Sequence, residues 1–168
     1  MTKADVEIYF SAEKSESVFF ICLGIAGIIT GIVFLILKRP VLTGAALPLL
    51  AVGLIHLAVG VSVFKSCDKL RTDMLYNLDL APGRIAHNEV PRMEKVMKNF
   101  MMLRYTEIAL AMAGIGLAVA MKNEKGFWFG LGLALCAEAV ISLGADYFAE
   151  KRGHVYHQHL QTFTSKMK

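Results

Sequence analysis

Three apolar runs each carry one ionisable residue at depth: His56 in residues 41–64, Glu107 in 103–121, just past Arg104, and Glu138 in 126–145. A histidine changes charge near neutral pH, and a carboxyl in apolar surroundings can hold or pass a proton. Such groups are costly at bilayer depth, and where they occur they mark relays, pathways or pockets. At 100° per residue, His56 shares a helix face with Gly53, Gly60, Cys67 and Met74, and Glu107 shares one with Ala111, Gly114 and Ala118. Both faces are expected to turn inward. Glu138 lies at the edge of the small-residue side of its helix, near Ala134 and Ala145. Counting from the inner ends of the runs puts His56 and Glu138 within a turn of one level, with Glu107 about a turn nearer the inner end. Thr30 of the first run is expected to join them as an intramembrane polar cluster.

A second set follows the last run. Asp146, Glu150, His154 and His157 are spaced i, i+4, i+8 and i+11. Glu150, His154 and His157 are the donor types that suit zinc, iron or manganese, which makes them a weak candidate metal site. The Glu-x-x-His pattern of dimetal carboxylate bundles is missing from the sequence. Rotation away from Phe148, Val155, Phe163 and Met167 predicts a solvated face for this stripe.

Other chemistries find no residues. There is no glycine-rich phosphate loop, nucleophile elbow or HExxH, so the chain reads as non-enzymatic. Bis-histidine haem would need a second histidine in a span, and His56 is the only one there. Cys22, Cys67 and Cys136 form no CxxC pair and read as small packing residues. No cofactor is expected.

The elements that must position these groups are helices. A bilayer core takes about 20 apolar residues to cross, and residues 18–37, 41–64, 103–121 and 126–145 each meet that length. With 168 residues, of which 55% are hydrophobic, the expected fold class is all-α: a single polytopic membrane domain, an antiparallel four-helix transmembrane bundle with helices extending into the cytoplasm. The first run ends at Lys38-Arg39-Pro40 and not at a small-residue cleavage site, so it is expected to stay in place. Fourteen of the eighteen Lys and Arg lie in the two tails and the middle segment, against four in the other two turns. The positive-inside rule therefore predicts cytoplasmic termini, in a plasma or bacterial inner membrane.

The middle segment, 65–102, reads as a cytoplasmic helical hairpin. Cys67, Leu70, Met74 and Leu78 make one apolar stripe, and Met93, Val96, Met97 and Phe100 make another. A turn is expected over 79–87, around Pro82-Gly83, with Asn88 capping the next helix. On the outer side, Thr43-Gly44 with Pro48, and Lys122-Asn123-Glu124-Lys125-Gly126, are the predicted connections. Residues 146–165 extend the last helix, and Val6, Tyr9 and Phe10 give the N-terminal arm an apolar stripe. That arm is expected to join a four-helix stalk; an amphipathic helix lying flat on the membrane is the alternative.

Glycines at 24, 27, 31, 53 and 60 allow close helix approach. Two functions from different classes fit this pattern. The first is a membrane protein acting through helix packing, with a second copy or with a membrane partner of inhibitor, immunity or accessory-subunit type. The alternative is a proton- or cation-conducting channel or carrier using the intramembrane His and Glu residues. Beyond the lipid bilayer and such a partner no other is implied, and nucleic acid is not expected, because the basic middle segment alternates with acids.

Overall fold

The computed structural model of the protein describes residues 1–124 and 126–167. Lys125 of the outer turn and Lys168 of the tail, both counted above, lie outside the described residues. Four long helices follow one another: α1 (Lys3–Leu37), α2 (Pro40–Leu80), α3 (Pro82–Ala120) and α4 (Phe127–Ser165). Each holds a stretch long and apolar enough to cross a membrane.

Local chemistry sets the ends. Thr2 and Asp5 form a capping box that satisfies the first free N–H groups of α1. Lys38 takes the left-handed conformation, φ 51°, and its N–H bonds the Leu35 carbonyl. Pro40 then opens α2, where its missing N–H costs nothing. The connection is thus Lys38-Arg39 alone, and Thr43, Gly44 and Pro48 lie inside α2, not in a turn.

The expected nine-residue turn over 79–87 shrinks to Ala81. Pro82 restarts a helix at once, and residues Ile85–Glu89 widen into a π-turn in which Val90 N–H reaches Ile85 O. The wide turn includes His87, four residues before Pro91, where the proline ring would crowd a regular α-turn. Asn88 sits inside this turn and caps nothing.

Packing differs between the two ends of the molecule. Lys3 pairs with Asp79 and Asp5 lies 3.6 Å from His159, so the N-terminus, the α2–α3 turn and the end of α4 share one end. There all four helices feed one core: Val6, Tyr9 and Phe10 of α1, Cys67 and Met74 of α2, Ile85 and Met93 of α3, Tyr156 and Leu160 of α4. Burying each of the large side chains contributes about 1.5–3 kcal/mol. The N-terminal arm belongs to this core through Val6, Tyr9 and Phe10.

The buried face of the α4 extension is Gly153, Tyr156 and Leu160, while Phe148 and Val155 are exposed. Of the expected stripe, Phe163 does pack against the core, whereas Phe148, Val155 and Met167 do not. Gly153 decides it, because its bare Cα lets α4 close onto Met97 of α3.

In the other half α2 and α4 lie side by side, α1 runs along α2, and α3 runs along α4. Glycine makes these approaches: Gly24 meets Gly53 and Leu57, Gly114 meets Gly132 and Cys136, and Gly44 and Gly130 bring α2 and α4 together backbone to backbone.

Candidate functional site

The α4 helix carries a polar residue at every fourth position from Glu138 through Ser142 and Asp146 to Glu150. At 1.5 Å per residue, the ladder is about 18 Å long, with rungs about 6 Å apart. Neighbouring helices meet each lower rung. His56 of α2 lies 3.1 Å from Ser142, Nε2 to Oγ, with the Phe20 ring 5.3 Å from its own. Glu107 of α3 faces the Asp146 carboxyl within hydrogen-bonding reach. Arg104 donates to Glu150, and Glu150 also lies 3.6 Å from His154.

His56, Glu107, Glu138 and Ser142 are all buried. Two of their atoms, His56 Nδ1 and Glu107 Oε2, have no hydrogen-bond partner. His56, Glu107 and Glu138 do not form a single cluster. They attach to successive rungs of one helix: Glu138 within it, His56 one turn below, Glu107 another turn below. Thr30 takes no part, being exposed on the outward side of α1. Ser142 was missed by sequence reasoning, although Glu138-Ser142-Asp146-Glu150 is legible as an unbroken i, i+4 series.

At its lower end the ladder opens. A cavity of about 510 Å³ lies between α3 and α4, lined by Arg104, Glu107, Asp146, Glu150, Lys151 and His154 among others. The stripe predicted to face solvent is partly covered here, and Glu150 keeps 13% of its side-chain surface. Farther along, His157 turns to Gln161, 2.9 Å away, and its Nδ1 is buried without a partner. Among the described residues no three His, Cys, Asp or Glu side chains converge as a metal site would require.

A second polar cluster, unforeseen from the sequence, sits in the core at the terminal end. Glu89 accepts from Tyr156 Oη at 3.0 Å and from Arg92 at 2.8 and 2.7 Å. Tyr9 stacks on Tyr156 with ring centroids 4.0 Å apart, and its hydroxyl lies 3.5 Å from Glu13. Burial works against the Arg92 charge, yet the hydrogen bonds and charge of Glu89 outweigh it and hold the guanidinium above its ordinary value. Burial pushes the Glu13 carboxyl up, against the pull of Arg92, and pushes the Tyr156 phenol up, helped by the Glu89 charge. Only a fold that brings Tyr9, Glu89, Arg92 and Tyr156 together from three helices makes them a network.

The three free cysteines divide: Cys22 is exposed, Cys136 half-buried, and Cys67 buried with its thiol donating to the Phe10 carbonyl. Compared with protein-family models, curated proteins and solved structures, the chain gives no significant match.

Proposed function

We propose that the chain is a four-span membrane protein whose work is lateral helix packing, with a second copy of itself or with a membrane partner that it supports or inhibits. Aromatic spacing supports the membrane placement. Trp128 near one end of the apolar part of α4 and Tyr147 and Phe148 near the other are exposed. They stand 19–20 residues apart, about 28–30 Å of helix, which matches the roughly 30 Å hydrocarbon core. The distribution of lysine and arginine supports cytoplasmic termini.

One observation carries the packing function. Besides the inward face of α3 (Glu107, Ala111, Gly114, Ala118), its outward face holds Ala109, Ala113, Gly116 and Ala120, all exposed. Nothing lies within 4 Å of where a Gly116 side chain would start. Lipid contact does not call for small residues, whereas a second helix approaching closely does. The exposed Cys22, Ala26 and Thr30 give α1 a similar outward face. Cysteine placed at 113 or 116, with the three native cysteines replaced, is expected to cross-link in native membranes. Cysteine at Leu103 or Ile115 is the comparison. Equal cross-linking at all four positions, or none at any, removes the support for this face.

The α4 ladder favours a second function, passage of protons or cations from the cytoplasmic side to Glu138. Proteoliposome flux that survives both Glu138→Gln and His56→Ala would dismiss it.

A further inference from the structure

Two cavities, of about 550 and 340 Å³, lie end to end between α1 and α4 and share Arg152. Together they make one groove. Its α1 wall carries Ile8, Ala12, Ser15 and Phe19, at i, i+4, i+7 and i+11. Its α4 wall carries Ile141, Gly144, Phe148 and Val155, at i, i+3, i+7 and i+14. Both stripes keep the 3.5-residue period with which one helix packs along another, and all of these residues but Ala12 are exposed. Nothing lies within 4 Å of where a Gly144 side chain would start, so a further helix can approach closely there. The α1 stripe runs on, on the same face, into the exposed Cys22, Ala26 and Thr30.

Lipid covers only part of this groove. Val155 stands seven residues past Phe148, about 10 Å of helix, and Ile8 stands eleven before Phe19, about 16 Å. Both lie beyond the inner end of the apolar spans, and there Ile8 is 70% and Val155 49% exposed. A continuous apolar stripe left facing water marks a surface that another protein covers.

The charges narrow the choice of protein. The acids of the groove stand on α1 and the bases on α4: Glu16 pairs with Arg152, and Asp5 lies 3.6 Å from His159. Each acid is thus level with a base. Two copies inserted the same way in one membrane can share a two-fold axis along the membrane normal. Bringing their grooves together about that axis sets α1 of each against α4 of the other. Glu16 then faces Arg152 of the second copy, and Asp5 faces its His159, so acids and bases alternate around a square at both levels. A foreign helix would need this pattern built in, whereas the chain's own copy already has it.

Resting on the membrane placement and lateral packing proposed above, we infer that the α1–α4 groove seats a second copy of this chain. The two join as a two-fold dimer, α1 of each lying along α4 of the other. The dimer covers Ile8 and Val155 in the stalk and Phe19, Ile141 and Phe148 at the inner side of the membrane. The outward face of α3 stays free for further contacts.

The test co-expresses two forms of the full chain with different tags, both without the native cysteines, one carrying Ala12→Cys and the other Val155→Cys. By the levels of the ion pairs these positions oppose each other across the dimer, while each is diagonal to its own counterpart. A disulfide needs Cα atoms within about 7 Å. Mild oxidation of native membranes should therefore give the mixed disulfide as the main product, above either self-linked pair. A second measurement reads the charges. Glu16→Arg with Arg152→Glu in one chain keeps the internal pair in reversed order, but sets like charges against an unaltered chain. Mixed pairs of altered and unaltered chains, captured through the two tags, should fall about tenfold below their random share, while each form still pairs with itself.

Self-linked pairs equal to or above the mixed disulfide, or mixed pairs at the random share, overturn the two-fold arrangement. No disulfide here alongside cross-linking at 113 or 116 overturns this groove as the contact between copies and leaves lateral packing through α3 standing. No linkage at any of these positions overturns both.

Discussion

Replacing Glu89 by alanine removes one acceptor from three donor contacts, so it tests how the terminal core is held. Arg92 reaches it through Nε and Nη2 at 2.8 and 2.7 Å, and Tyr156 through its hydroxyl at 3.0 Å. The side chains of Arg92 and Glu89 keep only 24% and 11% of their surface, so water screens the pair little. Stripping a partner from a buried ion pair costs about 3–5 kcal/mol. The Tyr156 hydroxyl, in a residue 2% exposed, loses its acceptor too. These costs overlap, and Glu13 nearby offers Arg92 some charge compensation, so about 3–5 kcal/mol is expected for the whole change. Tyr156→Phe deletes one hydrogen bond to a charged acceptor and should cost about 1.5–3 kcal/mol. In the double variant the two losses should fall short of their sum by about 0.5–3 kcal/mol, as for residues in one network. Pulse proteolysis against urea in mild detergent gives each value. A loss under about 1 kcal/mol for Glu89→Ala, or strict additivity, would refute the reasoning that a shared acceptor holds α3 and α4 together here.

Three further predictions concern other parts of the molecule. Glu13 has its carboxyl pKa raised by burial above the ordinary 4.5, so the folded state binds its proton more tightly than the unfolded chain. Stability should therefore fall as pH rises from about 4.5, and Glu13→Gln should flatten that fall, as read from urea midpoints between pH 4 and 8. Gly130→Ala would press a methyl group onto the Val41 backbone, and overpacking of this kind costs about 1–3 kcal/mol; thermal unfolding in detergent should show it, with Gly116→Ala as the neutral comparison. Thr30→Leu, at an exposed position on α1, should change stability by less than about 0.5 kcal/mol in the same assay.

Where the sequence carried a period, it carried the structure. His56 could be turned inward because Gly53, Gly60, Cys67 and Met74 mark one face over six turns, and all of them are buried. Glu107 follows the same logic through Gly114. Helix length and type were legible for the same reason, since apolar runs and amphipathic stripes join without a break. The connections were not. Pro and Gly at 82–83 and at 43–48 read as turn residues, but Pro40 and Pro82 begin helices, and Gly44 serves close approach of α2 to α4.

The C-terminal extension misled for a different physical reason. Phe148 and Val155 suggested a buried side, yet the contact there is made by Gly153, through what it lacks. Thr30 failed because one hydroxyl has no periodic company to fix its rotation. The Glu89–Arg92–Tyr156 network depends on long-range juxtaposition that no spacing within a helix encodes, whereas the α4 ladder was written in plain i, i+4 steps with a serine as its easily overlooked rung.

Fluorescence transfer between donor- and acceptor-labelled chains in proteoliposomes, followed as lipid is added, bears most directly on a protein that works by lateral packing. Transfer should persist at dilutions where chance proximity vanishes, or reappear when the native partner's membrane extract is supplied, and Gly116→Leu should lower it. Transfer that decays as random dilution predicts, with and without the extract and equally for both forms, would contradict the account.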